Sequence, residues 1–389
     1  MGSRPALLLP PTTEVGLPNG RIILLLLNRD SSRLGTNERS ASRLSAYCRH
    51  LAGRLLHANS GFPLFAPVPY ILSRLFSNTK QSVNIISHSS ELKPGSRNVC
   101  GAIGTFDGVH LGHQQVIRQT IEDARQHEGI AVAITFDRHP NSVVAPDRNP
   151  PLIYSLSQKL RVIGSLGIDT TLLIHFDQEF SQIPGEEFIR GLARDLGAIH
   201  SLCVGSAFTF GHKRSGNVAL LKRLGQELKF IVHGLASVSL DGTIVSSTRI
   251  REAIGAGNLD AASQMLGRTY ALASKVIRGD RLGRQLGFPT ANLDPDDLVI
   301  PPNGVYAAHA YVEGRLHRAV VNIGTRPTLQ NPQPKLQVEA HLLDVSADLY
   351  GQEMEIAFVE KLRDEQKFSS TEALQKQIQR DIETARRRF

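Results

Sequence analysis

The chain has 389 residues, 41% hydrophobic and 21% charged, a balance that excludes a wholly disordered or collagen-like polymer and suits two or three packed domains. Its longest aliphatic run, Ile22 to Leu27, is far too short to span a membrane. The three scattered cysteines, Cys48, Cys100 and Cys203, define neither a disulfide framework nor a closed zinc site, so a reducing, cytoplasmic setting is expected. The net charge of +8 is local: residues 1–80 hold nine Arg and one Lys against three acids. The remaining body is almost neutral, which argues against a general nucleic-acid face.

Residues 1–80 sustain neither a helical nor a strand period. Rich in Arg and Ser and poor in acids, they fit a transit-like segment. They fit equally a poorly ordered leader, since little apolar periodicity offers little burial to offset ordering entropy. The leader is the expectation.

From Asn98 onward the texture alternates. Apolar runs at Val99–Ile103, Ile130–Phe136, Thr170–Phe176, Ser201–Val204 and Phe230–Val232 predict buried strands. Between them, Val116, Ile117, Ile121 and Ala124 share one helical face, and Phe188, Ile189, Leu192 and Leu196 share another. This pattern predicts an α/β domain with a parallel sheet, covered by helices on both sides and binding ligands at the carboxyl ends of its strands. At one such end stands Gly104-Thr105-Phe106-Asp107-Gly108-Val109-His110-Leu111-Gly112-His113. A strand running through a glycine-rich turn into a helix lets backbone N–H groups face an anion. Two histidines three apart can then both reach one polyphosphate and donate to its developing charge. Further on, Ser246-Ser247-Thr248-Arg249-Ile250-Arg251 places two hydroxyls and an arginine at a helix start. By itself it fits phosphate binding as well as plain capping by Ser247 or Thr248 with Arg251 solvated. Beside the histidine turn, phosphate binding is favoured. There is no Walker-type P-loop.

After Leu266-Gly267-Arg268 come short strand-like runs at Leu272–Ile277, Gly304–Val312, His317–Ile323, Leu336–Leu343 and Met354–Val359. Gly, Pro and Asn turns separate them, which predicts a small antiparallel β-barrel. A helix from about Ser370 to Arg386 follows, with Leu374, Ile378 and Ile382 at helical spacing. The expected layout is an extension over 1–80, an α/β domain over 81–267 and a barrel domain over 268–389. Thr290 and Asn292 offer hard, neutral oxygens of the kind Mg²⁺ takes, although Pro-Thr-Ala-Asn alone also fits an ordinary turn. Glu339 alternates with Val338 and Ala340 and, on spacing alone, is a solvated strand residue.

The HxGH turn resembles that of the nucleotidylyltransferase superfamily, and the string GTFDGVHLGHQ is similar to the bacterial bifunctional riboflavin kinase/FMN adenylyltransferase family (FAD synthetases). Thr135-Phe136-Asp137-Arg138-His139-Pro140, Val204–Gly211 and Ser246–Arg251 follow in that family's order. Gly283-Arg284-Gln285-Leu286-Gly287-Phe288-Pro289-Thr290-Ala291-Asn292 resembles the riboflavin kinase signature. Asn322–Thr328 and Val338-Glu339 continue the likeness. The resemblance implies a Rossmann-like nucleotidylyltransferase domain and a riboflavin-kinase-like β-barrel with a terminal helix. It implies ATP-dependent phosphorylation of riboflavin to FMN, then adenylylation to FAD, with Glu339 as general base and His110 and His113 stabilising adenylyl transfer. Gly104, Phe106, Asp107, Gly112, Ser247, Thr248, Arg251, Gly283 and Arg284 would bind nucleotide or phosphate. Phe136, His139, Asn322 and Arg326 would bind flavin, and Thr290 and Asn292 the metal. A cytoplasmic monomer or weak homo-oligomer is implied, without membrane or nucleic-acid partners.

Departures occur at Arg138, Ala207, Thr209 and Asn217. Ala207 stands where the family usually has Asn or Asp. Because alanine has no side-chain hydrogen bond, the departure implies slower adenylylation or, as an alternative, a kinase whose first domain is a weak or inactive adenylyltransferase. A non-enzymatic flavin sensor is disfavoured by the full set of catalytic-type residues. A nucleotidylyltransferase for another substrate would not need the kinase-like tail.

Overall fold

The structure is a computed structural model that describes residues 83–279, 282–295, 297–328, 331–343, 345 and 348–389, without the side chains of Leu282 and residues 326–335. The expected leader and the Arg326 side chain lie outside the described residues.

The first half is a six-stranded, wholly parallel sheet. Its strands are β1 (Asn84–Ile86), β2 (Val99–Ile103), β3 (Ile130–Phe136), β4 (Thr170–Ile174), β5 (Ile199–Gly205) and β6 (Ile231–Leu235), in the order β1-β4-β3-β2-β5-β6. β2 and β3 are buried along their whole length, which is why they read as unbroken apolar runs. Helices α1 (Leu111–Gln126) and α2 (Leu156–Ser165) cover one face; α3 (Gly185–Leu196) and α4 (Val218–Leu228) cover the other. Each fully buried Ile or Leu, such as Ile117 or Leu196, contributes about 1.5–3 kcal/mol. β1 carries no sequence signal, because three residues are too few to show a period. The chain steps outward from β2 in both directions, so the switch point of the sheet, where a crevice opens, lies at β2.

Two helices, α5 (Ser247–Gly255) and α6 (Leu259–Leu266), lead into a closed barrel. Gly267, at φ 68°, ends α6. The barrel strands are β7 (Ala271–Ile277), β8 (Ala291–Leu293), β9 (Gly304–Val312), β10 (Arg315–Thr328), β11 (Asn331–Leu342) and β12 (Glu353–Arg363). They close as β7-β8-β11-β10-β9-β12, antiparallel throughout. Pro289 and Thr290 lead directly into β8, a short paired strand that the strand-like runs of the sequence did not include. Helix α7 (Thr371–Arg386), capped by Ser370, lays Ile382 and Ala385 over Val305, Ala307 and Val320 outside the barrel. The Arg363 guanidinium pairs with Asp381 at 2.7–3.1 Å and pins it.

One apolar cluster runs from the α1 and α2 face of the sheet through α5 and α6 into the barrel interior. Polar contacts reinforce the join: Gln158 donates to the Ala271 carbonyl at 2.9 Å, and Arg161 pairs with Glu353 and, at 3.0 Å, with buried Glu355.

Candidate active sites

β2 delivers the chain into the turn that ends at His110. Phe106 and Val109 have φ of 51° and 40°, and Gly108 has 75°. That backbone suits glycine but costs on the order of 1–3 kcal/mol at each of the other two residues. The surroundings enforce it. A Cβ on Gly104 would lie 2.8 Å from the Phe106 ring, so the glycine seats that ring, which is buried and meets His113 edge-on. The buried Asp107 carboxylate accepts from Ile153 N–H at 3.0 Å, Tyr154 N–H at 3.3 Å and Arg251 at 2.7 Å. Asp107 therefore aims Arg251 and needs no phosphate of its own.

His110 caps α1. Its Nδ1 accepts from the backbone N–H groups of Gly112 and His113 at 3.2 and 3.4 Å, which puts the proton of the neutral ring on Nε2. The expected open helix N-terminus is thus partly used by the protein itself. The two imidazoles stack at 3.7 Å, and a Cβ on Gly112 would sit 3.2 Å from the His110 ring. Burial, then Arg268 and Arg251, push His110 down to about 4. Burial, His110, Arg268 and Lys159 hold His113 well below the ordinary histidine value. Both rings are neutral at pH 7 and serve as hydrogen-bonding groups. His113 Nδ1 is buried with no hydrogen-bond partner among the described residues.

α5 closes the site from the other side. Ser246 supplies the cap, accepting from Arg249 N–H at 3.3 Å, which corrects the assignment of that role to Ser247 or Thr248. Ser247 instead donates to the Asp107 carbonyl at 3.1 Å, and Thr248 is exposed. Arg251 is not solvated: its side chain is 13% exposed and also donates to the Pro151 carbonyl at 2.6 Å. The structure thus gathers Gly104, Phe106, Asp107, His110, Gly112, His113, Ser247 and Arg251 around one turn.

His139 lines a narrow pocket with Asp107, Asp137 and Lys159. Its Nδ1 accepts from Asn141 N–H at 3.1 Å, and burial, followed by Arg251, lowers its pKa. Phe136 faces the opposite side of the sheet, edge-on to Phe176 at 5.4 Å, in an aromatic chain that continues through Phe180, Phe188, Phe210 and Phe208. Ala207 is exposed just beyond β5. Asn217 caps α4 by accepting from Leu220 N–H at 3.0 Å, a role Asp would fill equally.

Sequence reasoning passed over Lys159. From α2, its buried ammonium donates to the Phe136 carbonyl at 2.7 Å and lies 3.4 Å from the Thr105 carbonyl. It thereby ties the ends of β2 and β3, and burial lowers its pKa to about 8. The signal was a lysine sharing a helical stripe with Val162 and Ile163. Arg268, met only as a boundary marker, was also missed.

The second site lies on the barrel wall. Asn292 on β8 pairs directly with Glu339 on β11, and Glu339 with Asn322 on β10. Residues opposite each other across strands share a face at about 4.5–5.5 Å between Cβ atoms, so three expected site residues form one outward row. Their neighbours Leu293, Val338, Ala340, Val321 and Ile323 fill the interior. Val305, next in register, is covered by α7. Beside the row, a cleft of about 360 Å³ is lined by Gly279, Arg284, Thr290, Asn292, Asp348 and Tyr350 among others, within the range of ligand pockets.

Two glycines let the backbone pack closely against these side chains. A Cβ on Gly279 would fall 2.6 Å from Asn292 Oδ1, and one on Gly283 3.1 Å from Thr290 Oγ1. His341, which shares the face of Glu339, donates from Nδ1 to the Pro289 carbonyl at 2.8 Å and meets Phe288 edge-on. It fixes the turn that presents Thr290; no sequence signal marked it. Among the described residues, no group of three or more His, Cys, Asp and Glu is placed to hold a metal.

A parallel sheet with a histidine-bearing turn at its switch point, joined to a closed antiparallel barrel, is the two-domain architecture expected of a flavin-nucleotide synthase. A family model described as FAD synthetase matches residues 93–249, and one described as riboflavin kinase matches 266–389. Bifunctional riboflavin kinase/FMN adenylyltransferase from Escherichia coli K12 is 37% identical over 288 residues, covering 74% of this chain and 91% of that protein. The protein of the same name from Pseudomonas fluorescens is 36% identical over 295 residues, with 76% and 94% covered. A crystal structure described as a macrolide-efflux protein from Streptococcus pneumoniae superposes with a TM-score of 0.66 at 27% identity, covering 78% of this chain and 98% of that one.

The chain belongs to the bifunctional riboflavin kinase/FMN adenylyltransferase family. It phosphorylates riboflavin to FMN with ATP and adenylylates FMN to FAD with release of pyrophosphate. The two matches together leave a kinase with an inactive first domain unsupported. Among the described residues, no helix is long and apolar enough to cross a membrane.

Proposed function

We propose that residues 81–267 carry adenylyl transfer and 268–389 the kinase step, with 1–80 a leader-like extension. In the barrel, Glu339 accepts the proton of the riboflavin 5′-hydroxyl as its oxygen attacks the γ-phosphorus of ATP. The row Asn292–Glu339–Asn322 carries this reading: a carboxylate on a rigid strand, flanked by two amides, meets the cleft at Asn292. Asn322 and Arg326 orient flavin, and Gly283 and Arg284 receive the nucleotide. Thr290 and Asn292 would hold Mg²⁺, since both line the cleft and offer hard, neutral oxygens. The bound ion supplies charge neutralisation on the phosphates.

In the α/β half, a phosphate oxygen of FMN attacks the α-phosphorus of a second ATP, the bond to the bridging oxygen breaks, and pyrophosphate leaves. His110 and His113, as neutral groups, and Arg251, aimed by Asp107, stabilise charge on the transferred phosphate; Thr248 donates to its oxygens, and Ser247 joins it by turning its hydroxyl away from the Asp107 carbonyl. Phe136 and its aromatic neighbours, with His139, receive the flavin. Buried free Cys100 and Cys203 suit a reducing cytoplasm, and a monomer or weak homo-oligomer is proposed.

The test is a reciprocal pair in the full chain with Mg²⁺ and ATP, flavins being separated by chromatography. Glu339→Gln should lower FMN formation from riboflavin by about 10²–10⁴ while adenylylation of supplied FMN persists. His113→Ala should lower FAD formation by about 10²–10³ and let FMN accumulate. Normal turnover of riboflavin by Glu339→Gln would remove Glu339 from its role.

A further inference from the structure

Arg268 lies outside the segment that matches the FAD synthetase model and inside the one that matches riboflavin kinase. Its guanidinium nevertheless closes on the histidine turn. It donates to the carbonyls of Gly108, Val109 and Leu266, the latter two at 3.1 Å, and to the Tyr154 hydroxyl at 3.0 Å. The Val109 and Leu266 carbonyls also accept from the Gln114 side chain at 3.0 and 2.7 Å. These donors meet the turn where its backbone is left-handed at Gly108 and, against the preference of a β-branched residue, at Val109. The next residue is His110.

We propose that Arg268 is a positioning residue for adenylyl transfer: from the domain junction it holds the strained turn in place and sets the charge facing its histidines. This makes the start of the kinase half a working part of the adenylyl site. The inference rests on the assignment of His110 and His113 to that reaction. The charged groups facing the pair are Arg268, Arg251 and Asp107, with Lys159 from α2. Removing Arg268's positive charge eases protonation of the histidines, so the acid limb of the adenylylation profile moves to higher pH. A lysine at 268 keeps the charge but cannot span three carbonyls.

The experiment measures kcat and KM for FMN adenylylation against pH in full-length Arg268→Ala, Arg268→Lys and Gln114→Leu, with riboflavin phosphorylation in the same preparations. The expected result for Arg268→Ala is a 10- to 100-fold loss of adenylylation kcat, the scale of a misplaced catalytic group. Its acid limb should shift upward and its kinase rate stay within two-fold. Arg268→Lys should leave the limb in place and recover part of the rate. Gln114→Leu removes a neutral donor to the same carbonyls, so it should lower the rate without moving the limb, and it tests the turn even if Arg268→Ala fails to fold. Wild-type adenylylation in Arg268→Ala, an equal loss in the kinase step, or a loss with an unmoved acid limb would each overturn the proposal. His113→Ala run in parallel separates the cases: if it too adenylylates normally, the site assignment fails; if it does not, only the role of Arg268 fails.

Discussion

Both reactions of the family take ATP and a flavin, but the two candidate sites are made differently. At the carboxyl end of β2, the polar groups are drawn out of water and already engaged with one another. Asp107 takes Arg251 and two backbone N–H groups, His110 caps α1, and Lys159 ties β2 to β3. On the barrel wall, Asn292, Glu339 and Asn322 stand half-buried in a row whose spacing comes from strand register, beside a cleft open to solvent. The first arrangement suits a step in which charge grows on an α-phosphate and reorganising water would raise the barrier. The second suits proton removal from a hydroxyl by one carboxylate. A buried, cross-linked site makes its function depend on charge balance; a surface row makes it depend on individual groups.

That contrast breaks first at Asp107. Asp107→Asn keeps an acceptor for Ile153 N–H but leaves Arg251 without its counter-charge, so kcat for adenylylation should fall about 10- to 100-fold, the scale of losing a properly aimed group. The kinase rate in the same chain should hold; steady-state assays of both reactions decide. If adenylylation were unchanged, the internal pairing would be structural only.

A smaller effect concerns pH and stability. His110 titrates near 4 in the folded chain because of burial and the two nearby arginines, against about 6.5 when unfolded. Between those values the unfolded chain binds the extra proton, so this contribution is complete above about pH 6.5 and is lost as pH falls toward 4. The full span corresponds to about 3 kcal/mol. Thermal unfolding from pH 7 to 4.5 should show a steeper decline for the wild type than for His110→Gln. Equal slopes would show that His110 is not the group responsible.

The smallest expected change sharpens the comparison at the flavin end. Ala207→Asn adds one hydrogen-bonding side chain at an exposed position beyond β5. One hydrogen bond is worth about 0.5–1.5 kcal/mol, so adenylylation kcat/KM should rise about 2- to 10-fold while riboflavin phosphorylation stays the same. No gain would mean that the flavin does not approach this loop.

How legible each site was follows from how it is built. The barrel row was recoverable because alternation along β11 separates Glu339 from Val338 and Ala340, and the motif strings name its members. Its alignment with Asn292 and Asn322 was not, since register belongs to strand pairs and not to a strand. In the α/β half, the histidine turn and the helix bearing Arg251 were both visible. That Ser246 rather than Ser247 caps α5 depended on where the helix begins, a local choice between adjacent serines, and that Arg251 is occupied by Asp107 emerged only once residues 144 positions apart were brought together.

Local periods and motif order were enough to determine the two domain types, the longer strands and the family, because those signals depend on neighbours along the chain; the short strands β1 and β8 were not among them. Only the tertiary structure decided that both histidines are neutral, that Lys159 and Arg268 brace the turn, and that one apolar cluster joins the halves. These properties arise from desolvation and from contacts between distant segments, which chain order does not encode locally.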